Sequence, residues 1–208
     1  MHAALACGFS EVPCQVVLIA QSEQASAFSA INGIVTKVTV WNLYKAALAA
    51  GERWAAEADA ACSAADCTLM TGNKPTDKKQ PGEIFAVRMI RTAVDEFGAA
   101  GVTAGLRAVR DCPEYGANAA AYANQVLRPV VRAVGARKWL HKYGVGDFLD
   151  RFDVYAAEQD VEAYVRGQRS RGIATAAKHD HFEAAVGSAL DKAFPQIAQA
   201  PKALTGGG

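Results

Sequence analysis

Residues 84–110 read IFAVRMIRTAVDEFGAAGVTAGLRAVR, and this stretch decides the fold class. Its apolar residues recur every three or four positions, which is the period of a helix that buries one face. Gly98 interrupts the pattern and predicts two helices, at residues 84–97 and 102–109, with a turn between them near residues 98–102. The chain from residue 84 onward is therefore expected to be all-helical.

The same period extends on both sides of this stretch. Upstream, Thr39 is expected to begin a helix that stops at Gly51, and a further helix is expected at residues 52–65. Pro129 predicts a kink or a break in a longer downstream helix, because proline lacks the N–H that a helix interior requires. The four downstream helices are predicted at residues 117–134, 139–152, 154–166 and 181–194.

The composition is that of a globular, mainly α protein. Of the 208 residues, 51% are hydrophobic and 21% are charged, and the heavy use of alanine favours helix. The formal net charge of +1 excludes a chain that coats DNA through an overall basic surface. No apolar run approaches the roughly 20 residues that span a bilayer, so we expect no membrane partner and a cytoplasmic location.

The N-terminal part of the chain has a different pattern. Residues 12–19 form a valine-rich run that predicts a buried strand. A short helix before this run ends at Gly8, and another follows from Ser22 to Gly33. This order of elements predicts a small α/β portion at residues 1–70.

A polar loop separates the two portions. Residues 71–82 read TGNKPTDKKQPG, with two prolines, two glycines and three lysines, which is typical of a loop. A phosphate-binding Walker loop is excluded, because its spacing of glycines, lysine and Ser or Thr is absent. We therefore expect a linker at 71–83, a helical domain at 84–196 and a flexible, glycine-ended tail at 197–208.

Three N-terminal segments resemble a known family. HAALACGFSEVPCQVV (2–17), SEQASAFSAINGIVTKVT (22–39) and WNLYKAALAAG (41–51) are similar, in this order, to the ParB-type N-terminal domain of the ParB/sulfiredoxin-like superfamily. The family's E-V-P phrase before a strand corresponds to Glu11, Val12 and Pro13, and its conserved-box asparagine corresponds to Asn32. The resemblance covers about residues 2–55 and is nearer to the phage and plasmid branch with D-G-Q-H-R motifs.

The resemblance implies a function and a set of ligands. It implies a ParB-like DNA-associated protein of a phage, plasmid or other mobile element, with CTP and magnesium as ligands and a nuclease or CTP hydrolase activity. A nucleotide or phosphate pocket would include Asn32, Thr36 and Lys37. The family's phosphate motif would lie just before His2, so we expect impaired chemistry and name no catalytic residue. The strand at 12–19 would also expose a sheet edge, through which a homo-oligomer is expected.

Two groups of arginines are candidates for contact with DNA. Arg166, Arg169 and Arg171 in YVRGQRSRG (164–172) form a local basic patch, whose contacts to phosphate would be sensitive to salt. A solvated loop is the alternative for this patch. Arg107 and Arg110 would face DNA if residues 87–110 formed a helix-turn-helix, although helical pairs joined by glycine are also common in plain bundles.

The sequence predicts neither a metal site nor a disulfide framework. The five cysteines are an odd number without a C-x-x-C pair, which indicates reduced thiols. His179 and His181 in KHDHFE (178–183) would point to opposite sides of a helix, so this phrase predicts an exposed helix start. Two other functions stay open: a helical structural or interaction protein, such as a virion component or assembly adaptor, and an intact enzyme with a longer N-terminus.

Overall fold

The computed structural model describes residues 39–195, together with Gly8 and Glu11. The strand predicted at residues 12–19, the two helices beside it and the sheet edge that it would expose lie outside the described residues. The same is true of the tail predicted at 197–208.

Local signals at Thr39 and Gly51 set the bounds of the first two helices. The Thr39 hydroxyl accepts a hydrogen bond from the N–H of Asn42 (3.2 Å), and helix α1 (Val40–Ala49) follows directly. Gly51 takes a positive φ of 70°, and helix α2 (Arg53–Ser63) begins beyond it. Both helices agree with the predictions for residues 39–51 and 52–65.

Helices account for most of the described chain, which confirms the mainly α fold class with a small α/β part. The remaining helices are α3 (Val87–Arg110), α4 (Pro113–Gly116), α5 (Asn124–Gly135), α6 (Gly146–Leu149), α7 (Val154–Ser170) and α8 (Lys178–Ala193). Short 3₁₀ turns lie at Thr76–Lys78, Ala119–Tyr122 and Lys138–Lys142. The only sheet in the described part of the chain is a parallel pair of strands, β1 (Thr68–Leu69) and β2 (Glu83–Ile84). None of the helices seen between residues 39 and 195 has the length and apolar character needed to cross a membrane.

Helix α3 differs in two ways from the prediction for residues 84–110. The helix does not begin at Ile84, because Ile84 belongs to β2 and pairs with Leu69. The predicted turn at 98–102 is a break at one residue: Gly98 has φ 72° and ψ 166°, and the helix resumes at once. A single glycine, which tolerates this conformation, replaces the three- to four-residue turn of a helix-turn-helix.

The segment predicted as a linker is a loop that connects two paired strands. The N–H of Thr68 donates to the carbonyl of Gly82 (2.8 Å), and the N–H of Met70 donates to that of Ile84 (2.9 Å). An ion pair between Lys74 and Glu83 also ties the loop to its own end. The compact unit to which this loop belongs begins at Thr39, so the residues on both sides of 71–83 share one body.

Two other predicted helices are divided in the structure. The segment 117–134 breaks at Ala123, whose extended ψ of 148° separates a 3₁₀ turn from α5, and Pro129 lies within α5. The break predicted at Pro129 is therefore six residues too late. The segment 139–152 forms a 3₁₀ turn and the short α6, and the two are separated after Tyr143, whose backbone is extended (φ −115°, ψ 142°). Gly146, the first residue of α6, lies close to the backbone of residues 111–112.

The core forms where α3 and α5 approach each other closely. A Cβ atom on Gly105 of α3 would lie 2.6 Å from the Cα of Val131 on α5, so only glycine permits this approach. The apolar face of α5 is fully buried here, and α2 and α8 cover the same core with Ala55, Ala58, Val186 and Leu190. The described cysteines, Cys62, Cys67 and Cys112, are buried free thiols.

Candidate anion-binding cleft

Three arginines line a cleft between the first half of α3 and helix α5. The cleft has a volume of about 500 Å³, and Arg88, Arg128 and Arg132 line it together with Thr92 and Asn124. Val40, Phe85 and Met89 are among its apolar wall residues. No aspartate or glutamate lines the cleft within the part of the chain that the structure describes. We call this site the arginine cleft.

Helical spacing explains why these side chains meet. Arg88 and Thr92 lie four residues apart on α3, and Asn124, Arg128 and Arg132 follow at four-residue intervals on α5. Residues four apart lie on one face of a helix, so each helix presents a single polar row to the cleft. The ion pair between Arg132 of α5 and Glu96 of α3 joins the two helices beside these rows.

Arg132 is the fixed wall of the cleft. Its guanidinium donates to both carboxylate oxygens of Glu96 (2.6 and 3.0 Å) and to Glu183 (2.7 Å), and it lies over the ring of Phe97. The hydrogen bonds to Glu96 are the main reason that the pKa of Arg132 is raised above its usual value. Two carboxylates thus neutralise this arginine and hold it in place.

Arg88 and Arg128 supply the positive charge of the cleft. Neither forms an ion pair with a carboxylate in the described residues. The Nε of Arg128 is buried and has no hydrogen-bond partner among them. A buried donor without a hydrogen-bond partner lowers the stability of the folded state by about 1–3 kcal/mol. A ligand oxygen that accepted from this guanidinium in the cleft would recover part of that free energy.

Two helices begin at the arginine cleft without a side-chain cap. The residues at the N-cap positions of α3 and α5 are Ala86 and Ala123, which carry no oxygen to accept from the first-turn N–H groups. The first residues of both helices, including Val87 and Asn124, line the cleft. Uncapped N–H groups and the positive end of the helix dipole favour an anion at such a position.

A second cavity adjoins the arginine cleft and is mostly apolar. Its volume is about 540 Å³, and its lining includes Tyr122, Tyr155, Ala119 and Ala120. The hydroxyl of Tyr155 is buried without a hydrogen-bond partner in the described chain. Burial raises the pKa of Tyr155, so the hydroxyl keeps its proton and remains a donor. Phe85, Ala86 and Asn124 line both spaces; we call the second one the tyrosine cavity.

A third concavity lies on the other side of Arg128. It has a volume of about 370 Å³ and is lined by Gln125, Arg128, Glu158, Lys178 and His179. Helix α8 begins here, also with an alanine at its N-cap position. Lys178, however, donates to the carboxylates of Glu158 and Glu162 (2.9 Å each), so carboxylates offset the positive charge on this side.

The arginines predicted on the second half of α3 contact the backbone of the protein itself. Arg107 donates twice to the carbonyl of Ala64 at the end of α2 (3.1 and 2.7 Å). Arg110 donates to the carbonyl of Gly116 (3.1 Å). These bonds satisfy carbonyls that helix ends and turns leave open, and they give both arginines a structural role.

The predicted basic patch lies at the exposed C-terminal end of α7. Arg166, Arg169 and Arg171 are all exposed. Arg166 pairs with Glu162 (2.8 Å), and the Nε of Arg171 donates to the carbonyl of Gly167 (3.0 Å). Cations at this end of a helix also offset its dipole.

The other residues that the sequence singled out are those of the predicted nucleotide pocket and those of the KHDHFE phrase. Asn32, Thr36 and Lys37 lie outside the described residues. The KHDHFE phrase does begin a helix, at Lys178, and His179 and Asp180 are exposed. The described residues contain no group of three or more side chains placed to hold a metal ion.

Sequence reasoning missed Arg88, Arg128 and Arg132. Their four-residue spacing with Thr92 and Asn124 was visible in the sequence, but many exposed helix faces carry the same pattern. What distinguishes these residues is the pairing of α3 with α5, and no local signal indicates it.

The comparisons with known proteins add no relative. No family model, no curated protein and no solved structure matches this chain. The resemblance of residues 2–55 to ParB-type domains therefore stays a prediction.

Proposed function

We propose that this protein associates with DNA through phosphate contacts, as a ParB-like protein of a phage, plasmid or other mobile element. The observation that carries the proposal is the arginine cleft. This one space is lined by Arg88 and Arg128, which form no ion pair within the described residues, and by the uncapped starts of α3 and α5. The N-terminal resemblance to ParB-type domains supplies the choice of DNA as the partner.

The chemistry of the cleft suits phosphate. A guanidinium offers parallel N–H donors that match two phosphate oxygens, and helix N-termini add further N–H donors. The exposed arginines at the end of α7 would extend the contact along a DNA backbone without reading its sequence. The surface ion pair between Arg166 and Glu162 is weak and can exchange for a contact with phosphate.

The test is binding of labelled duplex DNA across a series of salt concentrations. The Arg88→Ala/Arg128→Ala double variant is compared with wild type, and each phosphate contact contributes about 0.9 to the slope of log K against log salt. Because two contacts are removed, we expect the magnitude of this slope to be smaller by about 1.8 in the double variant. Adding CTP and magnesium tests the nucleotide that the resemblance implies, and a change in DNA affinity would support that ligand.

A matched control removes two positive charges elsewhere. Lys45 is exposed on α1, and the side chain of Arg53 is 89% exposed on α2; neither lines the cleft. The Lys45→Ala/Arg53→Ala variant should keep the wild-type slope. An equal loss in both variants would show a nonspecific charge effect, and no binding of the wild type at low salt would contradict the proposal.

A helical interaction protein without catalysis is the second candidate. Tyr164 and Ile173 are 51% and 48% exposed and lie in the chain on either side of the α7 arginines. Tyrosine and arginine are enriched where proteins bind each other. A stable oligomer that Tyr164→Ala or Ile173→Ser dissociates, combined with absent DNA binding, would favour this candidate. Sedimentation velocity at several concentrations would measure it.

A further inference from the structure

We infer that the arginine cleft and the tyrosine cavity together hold one nucleotide unit, with its phosphate in the cleft and its base in the cavity. The two spaces adjoin, because Phe85, Ala86 and Asn124 line both of them. This inference deepens the proposed association with nucleic acid and rests on it. The ligand is either a free nucleoside monophosphate or an unstacked nucleotide of a single strand.

Several independent observations support the arginine cleft as the phosphate-binding end of the site. Arg88 and Arg128 lack carboxylate partners among the described residues, and the Nε of Arg128 is a buried donor with no acceptor there. The N-terminal turns of α3 and α5 open on the same space without caps. Arg132, held by Glu96 and Glu183, gives this end a rigid wall.

The base end has the chemistry that a flat heterocycle requires. Phe85, Tyr122 and Tyr155 supply aromatic surface, and Ala119, Ala120 and Ala123 leave room beside them. Bases combine an aromatic face with carbonyl or ring-nitrogen acceptors, and aromatic side chains stack on them. The hydroxyl of Tyr155 is buried and has no hydrogen-bond partner among the described residues, and an acceptor on a base that reached it would satisfy this donor.

Wall contacts hold this end in place before a ligand arrives. The indole N–H of Trp41 donates to the carbonyl of Phe85 (3.1 Å), and the ammonium of Lys79 lies 4.5 Å from the centre of the Phe85 ring. The Tyr155 ring also packs against Tyr115, with 5.9 Å between ring centres. Trp41 thus holds the backbone of Phe85, while Lys79 and Tyr115 contact the Phe85 and Tyr155 rings, which lowers the entropy cost of ordering them around a base.

The arginine cleft is positively charged and the adjoining tyrosine cavity is mostly apolar. Together they favour a ligand that has an anionic end and an aromatic end. Inorganic phosphate would fill only the arginine cleft, and a nucleoside would fill only the tyrosine cavity. In a duplex the bases are stacked and paired, so a base reaches the cavity only after it is unstacked. We therefore expect a single strand to bind more tightly than a duplex of the same sequence.

The test compares ligands by calorimetric titration of the full chain. The probes are inorganic phosphate, thymidine, the four deoxynucleoside 5′-monophosphates, and a twelve-residue thymidine oligonucleotide alone or in a duplex. We expect the best monophosphate to bind at least tenfold more tightly than phosphate or thymidine. Competition between this monophosphate and the single strand shows whether both use the site, and the tighter of the two identifies the source of the nucleotide.

Two variants separate the ends of the site. Tyr155→Phe removes the hydroxyl and keeps the ring, so it should weaken nucleotide binding about fivefold to tenfold, the value of one hydrogen bond, and leave phosphate binding unchanged. It should not lower the melting temperature, because the lost hydroxyl has no partner in the described chain. Arg128→Ala should weaken phosphate and nucleotide binding alike.

The outcomes distinguish this inference from the proposed function. Equal affinity for monophosphate and inorganic phosphate, or a Tyr155→Phe variant that binds nucleotides as wild type does, would overturn the inference. Salt-dependent duplex binding would still support the proposed function in that case. Tight monophosphate binding without any DNA binding would support the nucleotide site and contradict the association with DNA.

Discussion

Replacing Gly105 with alanine tests the close contact between α3 and α5 in the core. The new Cβ would lie 2.6 Å from the Cα of Val131 and 3.1 Å from its carbonyl oxygen. Carbon atoms in contact are separated by about 3.5–4.0 Å, so the two helices would have to move apart by about 1 Å. The obstructing atoms belong to the backbone of a buried helix and cannot turn aside as a side chain would.

The expected loss of stability is the cost of overpacking the core minus the gain in helix propensity. Overpacking a core costs about 1–3 kcal/mol, and the backbone contact places Gly105→Ala at the upper end of this range. Alanine favours helix over glycine by about 1 kcal/mol, which leaves a net loss of about 2 kcal/mol. For a protein of this length each kcal/mol lowers the melting temperature by about 2–4 °C, so we expect a decrease of about 4–8 °C.

Gly167→Ala is the matched control. Gly167 lies within α7, and nothing lies within 4 Å of the position that its Cβ would take. The same change should therefore stabilise the protein by up to about 1 kcal/mol through helix propensity alone. Thermal unfolding followed by circular dichroism at 222 nm measures both variants. A Gly105→Ala protein as stable as wild type would refute the close approach of α3 to α5.

Three further predictions concern a helix cap, an ion pair and the buried thiols. Asp153 accepts from two N–H groups at the start of α7 (2.9 Å each), so Asp153→Ala should cost about 1 kcal/mol in urea unfolding and Asp153→Asn much less. Arg137 holds the pKa of Asp191 below its usual value, so this pair stabilises the folded state fully above the unfolded pKa and loses its contribution as pH falls through the folded pKa. Asp191→Asn should therefore be less stable than wild type at pH 7, and the difference in free energy of unfolding should shrink as the pH is lowered into the acid range. Burial raises the pKa of Cys62 and raises that of Cys67 to about 11, so iodoacetamide at pH 8 should label both more than tenfold more slowly in the native than in the urea-unfolded chain, as read by peptide mass spectrometry; equal rates would contradict their burial.

Elements with signals at both ends could be predicted from the sequence. Thr39 and Gly51 bracket α1, and the structure places a cap and a positive φ at these residues. The start of helix α7 agrees with the prediction, because the helix begins at Val154 after the Asp153 cap, but its end at Ser170 lies four residues beyond the predicted Arg166. In each case the deciding interaction joins residues fewer than five positions apart.

Elements that depend on distant partners were missed. Ile84 fits the helical period of the residues after it, yet it pairs with Leu69 across a loop that composition alone marks as a linker. The arginines show the same limit, because the carbonyls that Arg107 and Arg110 contact, those of Ala64 and Gly116, belong to other elements. Contact of these two arginines with DNA stays a prediction. The cleft arginines could not be recognised until α3 and α5 were paired.

Substitutions of Ala123, at the N-cap position of α5, should change protein stability and phosphate affinity in opposite directions. Ala123 already has the extended backbone of an N-cap residue, with φ −70° and ψ 148°, so Ala123→Asp should cap the helix and stabilise the protein by about 1 kcal/mol. The new carboxylate would also occupy the N–H groups that face the cleft and repel an incoming phosphate.

We therefore expect Ala123→Asp to raise the melting temperature and to weaken phosphate binding at least tenfold. Ala123→Ser, which caps without charge, should stabilise the protein with a smaller loss of binding. If the start of α5 is uncapped because it binds a ligand, a side-chain cap should raise the stability of the protein and lower its affinity for the ligand. An aspartate that stabilises α5 and leaves phosphate affinity unchanged would show that the anion binds elsewhere.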